Sequence, residues 1–215
     1  MKEEISTEDF IIILSNICET IEDQKDYLSE LDREIGDGDH GVTMSIGWMA
    51  VKEKLSTINP SDGFHKICTQ IASSFLSAVG ASAGPLYATA LMRGGGAVKD
   101  KNSLDAMSFS LFLNAAANGI KERGKAEIGD KTMLDVWIPA ADEMKKKASE
   151  GANLMEALEC TVNTAENAMN NTKNLLAKKG RSSKLGNRSI GHIDPGAASS
   201  FAIINSIFQT LKEMN

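Results

Sequence analysis

A chain of 215 residues with a formal net charge of −6 is long enough to bury a full core and has the wrong sign for a nucleic-acid surface. Hydrophobic residues make up 42% and aromatics only 5%, a mix rich in Ala, Leu, Ile and Met that favours helix on helix over a β-sandwich. The acidic balance would also repel a nucleotide, so a phosphate ligand here needs a metal or local donors.

Ser6-Thr7-Glu8-Asp9 predicts a helix start, with Ser6 at the N-cap and Asp9 in the first turn. Phe10, Ile13, Leu14, Ile17, Ile21, Leu28 and Leu31 then share one face, which predicts a single first helix. A second begins just after His40, with Met44, Trp48, Val51 and Leu55 inward. A third covers Gly63 to Val79 through Ile67, Ile71, Phe75 and Ala78. Pro85 falls in the first turn of a fourth, which Gly94-Gly95-Gly96 is expected to end. A fifth runs from about Ser103 to Arg123 and a sixth from about Thr132 to Ser149, with a kink or a late start at Pro139. The seventh spans about Asn153 to Ala177. After a polar loop, Pro195 opens the last, with Phe201, Ile204, Phe208 and Leu211 inward. Nothing alternates with period two, and no repeat or linker divides the chain. The expectation is one all-α domain over residues 1–215, a bundle of about eight helices.

Cys18, Cys68 and Cys160 show no CxxC spacing and read as reduced core residues. The N-terminus lacks a secretory apolar region and no run reaches the ~18 apolar residues of a membrane span, so the chain reads as soluble and cytoplasmic.

Four connections concentrate glycine with polar residues: 32–44, 78–85, 123–133 and the loop ending at Asp194-Pro195-Gly196. They follow the first, third, fifth and seventh predicted helices. In an up-down bundle alternate loops share an end, so all four are expected around one site.

Asp32, Asp37 and Asp39 stand at a helix end and through a turn that Gly36 and Gly38 let fold tightly. Converging carboxylates repel one another unless a cation joins them, and an all-oxygen set favours Mg²⁺ or Ca²⁺. An EF-hand is excluded, because the twelfth residue from Asp37 is Trp48 and from Asp32 is Thr43. Mg²⁺ with positions open to phosphates is the better match. The plainer alternative is that Asp32 caps one helix and Asp37 or Asp39 the next. His40 is either a packed histidine or a phosphate contact. Ser82-Ala83-Gly84-Pro85 offers a helix N-terminus to an anion, or simply packs closely. Asp194-Pro195-Gly196 is an N-cap pattern, flanked by Arg181 and Arg188, which either pair with an anion or are solvated. Residues 124–132 approach a P-loop but carry Asp130 before the lysine and follow no strand.

These segments, written DREIGDGDHG, VGASAGPLY, KAEIGDKTM-LD-W and KGRSS-LG-RSIGHIDPGA, together resemble the nucleotide-binding L subunits of bacterial dihydroxyacetone kinases. The resemblance covers nearly the whole chain. It implies a barrel of eight antiparallel helices holding ADP or ATP with two Mg²⁺ ions at one end. By motif position it implies Asp32, Asp37 and Asp39 as metal ligands, and Arg181 as the group that stabilises charge on the transferred phosphoryl. It implies nucleotide contacts from His40, Gly41, Val42, Thr43, Ser82, Ala83, Gly124, Met133, Arg181, Asp194, Pro195 and Gly196, with Met133 against the adenine. One departure is that the serine of the 80–85 segment stands one place earlier than the family's GGASGP.

In the two-component members, bound ADP acts as a coenzyme. A phosphohistidine protein of the phosphoenolpyruvate phosphotransferase system, the M subunit, recharges it, and dihydroxyacetone on a separate K subunit accepts the phosphoryl group. The chain lacks a K domain, which favours that arrangement, with no nucleic-acid or membrane partner and self-association left open. The alternatives are an ATP-dependent kinase component for another small polyol or carbonyl compound, and a nucleotide-sensing module without turnover.

Overall fold

In a computed structural model, which describes residues 2–80 and 83–214, nine α-helices and three 3₁₀ turns follow one another, and no strand forms among the described residues. The helices are α1 (Thr7–Asp23), α2 (Lys25–Ile35), α3 (His40–Leu55), α4 (Gly63–Ala78), α5 (Ala83–Ala97), α6 (Ala106–Gly124), α7 (Leu134–Ser149), α8 (Leu154–Asn171) and α9 (Pro195–Glu213). Eight of them close a ring: α1 packs on α3, each helix from α3 onward packs on its successor, and α9 returns to α1. The ninth, α2, lies beside α3 and α9 outside that ring. The all-helical expectation therefore holds.

Local chemistry sets the helix starts. Ser6 and Asp9 form a reciprocal capping box on α1, and Asn153 with Glu156 does the same for α8. Asp105 caps α6 through the Ser108 N–H at 2.8 Å. Apolar stripes then fill one continuous core. Phe75 is fully buried and meets Trp48 edge-on at 5.7 Å and Tyr87 at 5.5 Å. Burial of such a ring contributes about 1.5–3 kcal/mol, and each aromatic pair about 0.5–1.5 more.

Four sequence expectations need correction. The first helix is two, broken at Gln24 (φ −94°, ψ 2°). Glu22 and Asp23 end α1 with no basic residue in its last turn, so their charge opposes the dipole and disfavours continuation. The triple glycine does not stop α5, which continues to Ala97. A Cβ on Gly94 would lie 2.9 Å from the Phe112 ring, and one on Gly95 would lie 2.5 Å from Cys68 Cβ. These glycines let α6 and α4 approach α5; they mark close packing. Ala78 is exposed, because Val79 takes the inward position at the end of α4. The seventh predicted helix ends at Asn171 and gives way to a 3₁₀ turn at Thr172–Asn174. Pro139 lies inside α7, which starts at Leu134.

Gly95→Val is expected to destabilise the fold by about 2–3 kcal/mol through overpacking. Gly96→Ala, with nothing within 4 Å of its added Cβ, should be neutral or stabilising by up to about 1 kcal/mol. The melting temperature should thus fall for Gly95→Val and hold or rise for Gly96→Ala, and a matching fall in both would refute this account.

Candidate functional site

The α2–α3, α6–α7 and α8–α9 connections meet the start of α5 at one end of the barrel. They enclose a cleft of about 930 Å³ that is open to solvent. An adjoining recess of about 920 Å³ shares Leu86, Thr132, Met133, Lys179 and Gly180 with it. The two ends differ in chemistry. The cleft carries Asp32, Asp37, Asp39 and Arg181, while the recess is walled by Pro85, Leu86, Ile120, Ala126 and Leu134.

Asp32, Asp37 and Asp39 each offer one oxygen within 4.8 Å of the others. Two features of the backbone place them. Gly38 adopts φ +79°, a region closed to most L side chains, and a Cβ on Gly36 would strike the Asp32 carboxylate. Asp32 is buried at the end of α2, where its Oδ2 accepts the N–H groups of Asp39 at 2.9 Å and His40 at 3.2 Å. It therefore caps α3 from the preceding helix. Asp39 occupies the N-cap position but its side chain makes no capping bond. Asp37 and Asp39 are thus released from helix duty and sit half exposed, meeting the Arg181 guanidinium, which lies 3.1 Å from Asp39 and in contact with Asp37. An all-carboxylate donor set of this kind fits a hard divalent cation.

The His40 ring lines the cleft and bonds Ser199 Oγ at 2.9 Å. Burial pushes its pKa down to about 4 against the pull of the Asp32 carboxylate, so it is neutral at neutral pH. Thr43 joins it on the wall. Gly41 is buried against α2, where a Cβ would collide with the Lys25 carbonyl, and Val42 is 44% exposed; neither lines the cleft. Ala83 lines it at the start of α5, while Ser82 lies outside the described residues. Met133 is buried where cleft and recess meet, and Gly124 lines the recess. Asp194, Pro195 and Gly196 complete the cleft. The N-termini of α3, α5 and α9 all reach this wall, which favours an anion. Arg188 is exposed and lines neither space.

Asp194 caps α9 by accepting the Ala197 N–H at 2.8 Å. Burial raises its pKa to about 7, opposed by that bond and by the Lys131 ammonium. A carboxyl raised in the fold above its ordinary 3.8 contributes stability that is full below pH ~4 and is lost as pH rises through about 7. Asp194→Asn keeps an acceptor for the cap and removes that titration. The melting temperature of the wild type relative to this variant should fall between pH 4 and 8, and parallel curves would refute the assignment.

Sequence reasoning missed two residues that build this wall. Asp135 accepts the N–H groups of Gly129 at 2.5 Å and Thr132 at 2.8 Å, which shapes the P-loop-like segment into a tight turn. Lys131 follows Asp130 in that turn and is 1% exposed. A lysine between Asp and Thr reads as solvated, and only its place beside a glycine turn and the apolar Met133-Leu134 pair hints otherwise.

A closed helical barrel whose loops form one acidic, anion-favouring cleft continuous with an apolar recess defines a class of all-α ligand-binding domains. A family model described as the DAK2 domain matches residues 34–209, and the chain belongs to that family. It is 40% identical over 191 residues to the PEP-dependent dihydroxyacetone kinase ADP-binding subunit DhaL of Escherichia coli K12, spanning 88% of this chain and 90% of that one. The PTS-dependent dihydroxyacetone kinase ADP-binding subunit DhaL of Lactococcus lactis is 36% identical over 201 residues, or 94% of each chain. The dihydroxyacetone kinase of C. freundii in complex with AMP-PNP and Mg²⁺ shares the fold with a TM-score of 0.72 at 20% identity, over 93% of this chain and 33% of that one. No helix among the described residues is long and apolar enough to cross a membrane.

Proposed function

We propose that the chain is the single-domain, nucleotide-carrying L subunit of a phosphoenolpyruvate-dependent dihydroxyacetone kinase, acting in the cytoplasm. It holds ADP or ATP as a bound coenzyme. The phosphoryl group comes from a phosphohistidine M subunit of the phosphotransferase system and goes to dihydroxyacetone on a K subunit. The observation that carries this reading is the division of labour among the aspartates: Asp32 caps α3, and Asp37 and Asp39 are left to face a cleft with an apolar extension. The ADP-binding subunits of Escherichia coli and Lactococcus lactis, matched over nine tenths or more of their length, support the same reading.

Asp32, Asp37 and Asp39 would hold Mg²⁺, which when bound neutralises phosphate charge. The chain's own residues do the positioning. The positive ends of α3, α5 and α9 face the phosphates, Met133 and the recess take the adenine, and Arg181 supplies positive charge at the transferred group. Phosphoryl transfer asks chiefly for such placement and charge balance.

Calorimetric titration of the pure protein with ADP, with and without Mg²⁺, tests the reading. Mg²⁺-dependent binding is expected, and its absence would overturn the proposal. Coupled assays with K and M subunits then compare donors. Turnover with phosphoenolpyruvate supports the relay, whereas turnover with ATP alone points to an ATP-dependent kinase component and no turnover to a sensing module.

A further inference from the structure

Lys131 is the least solvent-exposed charged residue among the described residues. Its ammonium donates to the Thr172 carbonyl at 2.6 Å and the His192 carbonyl at 2.5 Å. Those carbonyls stand at the two ends of the 172–192 segment, which carries Lys179, Gly180 and Arg181 across the cleft. The Gly191 N–H, donating to the Lys173 carbonyl at 2.8 Å, closes the same neck. On its other side Lys131 is followed directly by Thr132 and Met133, which line both cleft and recess. One ammonium therefore ties the loop bearing Met133 to the loop bearing Arg181.

Two costs fall on this residue. Its φ of +61° is one that glycine adopts freely and lysine rarely does. A buried ammonium is also unfavourable unless fully bonded. A glycine would relieve both.

We infer that Lys131 is a positioning residue for the bound nucleotide, clamping the neck of the 172–192 segment so that Arg181 is held at the phosphate end of the cleft and Met133 at the apolar end. The inference rests on the cleft being a nucleotide site. It adds a role for a side chain that lines the cleft but gives its hydrogen bonds to the Thr172 and His192 carbonyls at the neck of the segment.

Mg-ADP titration of wild type, K131M, R181A and the double variant tests it, together with trypsin cleavage of the nucleotide-free proteins after Lys178, Lys179 and Arg181. K131M should bind Mg-ADP about 10-fold or more weakly, the scale seen when a group that orients a ligand set is lost. Cleavage in the 172–192 segment should speed up while the thermal melt stays cooperative. Because Lys131 acts through the segment that holds Arg181, the double variant should bind within about 3-fold of the weaker single variant, the mark of coupled sites. A merely structural role would leave the two losses multiplying. Equal affinity and equal cleavage in K131M, or multiplying losses, would overturn the inference. If wild type fails to bind Mg-ADP, the functional reading falls, and the cleavage comparison still decides the clamp. If K131M does not fold, K131R takes its place. Its larger planar head keeps the charge but must push apart the two carbonyls that the ammonium holds at 2.6 and 2.5 Å, so faster cleavage and weaker binding are expected and wild-type values would overturn the clamp.

Discussion

Asp37→Ala is expected to abolish Mg²⁺-dependent ADP binding while leaving the helical signal and the melting temperature close to wild type. The geometry makes Asp37 the informative choice among the three carboxylates. Asp32 is buried and accepts two amide protons at the start of α3, so its removal would unsettle the barrel as well as the site. Asp37 is half exposed and its recorded partner is the Arg181 guanidinium, so its loss leaves no buried group unpaired. Removing groups that merely orient metal ligands costs about 10–100-fold in affinity, and a direct carboxylate ligand should cost at least that upper figure. Circular dichroism and calorimetry on one sample provide the check. Retained Mg-ADP affinity in a folded Asp37→Ala protein would remove the metal role, and an unfolded one would return Asp37 to the helix-capping role.

Much of the barrel was legible because its determinants repeat along the chain. The face running from Phe10 to Ile21 is buried as its spacing predicts, as is that from Met44 to Leu55. The alternate placement of glycine-rich loops also located the cleft. What escaped were features decided by neighbours in space. The apolar stripe continues across Gln24, so the break there leaves no mark in the pattern. Gly94 and Gly95 read as a stop because a glycine's packing partner, here Phe112 or Cys68, is remote in sequence. The capping of α3 by Asp32 instead of Asp39 depends on how α2 meets the turn. Lys131 and Asp135 were invisible for the same reason: charged residues in a loop read as solvated until the carbonyls and amides they satisfy are known.

Arg181→Gln should separate binding of the cation from transfer of the phosphoryl group. In the nucleotide-free protein the guanidinium stands with Asp37 and Asp39, half exposed and 3.1 Å from the latter. A divalent cation held here would draw on the same two carboxylates, so Arg181 would compete with Mg²⁺ until phosphates gave it another partner. Glutamine removes the competitor. Mg²⁺ without nucleotide should then bind as tightly as in wild type or more tightly, while Mg-ADP, which in wild type also gains the guanidinium, should bind less well. Transfer should suffer most, since an arginine that balances charge on a moving phosphoryl group is worth about 10³–10⁵ in rate. Arg181→Lys should fall between, because an ammonium retains the charge without the planar fork that spans two carboxylate or phosphate oxygens. Single-turnover transfer to dihydroxyacetone on the K subunit, set beside calorimetric Mg²⁺ and Mg-ADP affinities, reads all three quantities. Weaker Mg²⁺ binding in Arg181→Gln would show that the guanidinium supports the carboxylate cluster, and an unchanged transfer rate would remove Arg181 from the chemistry.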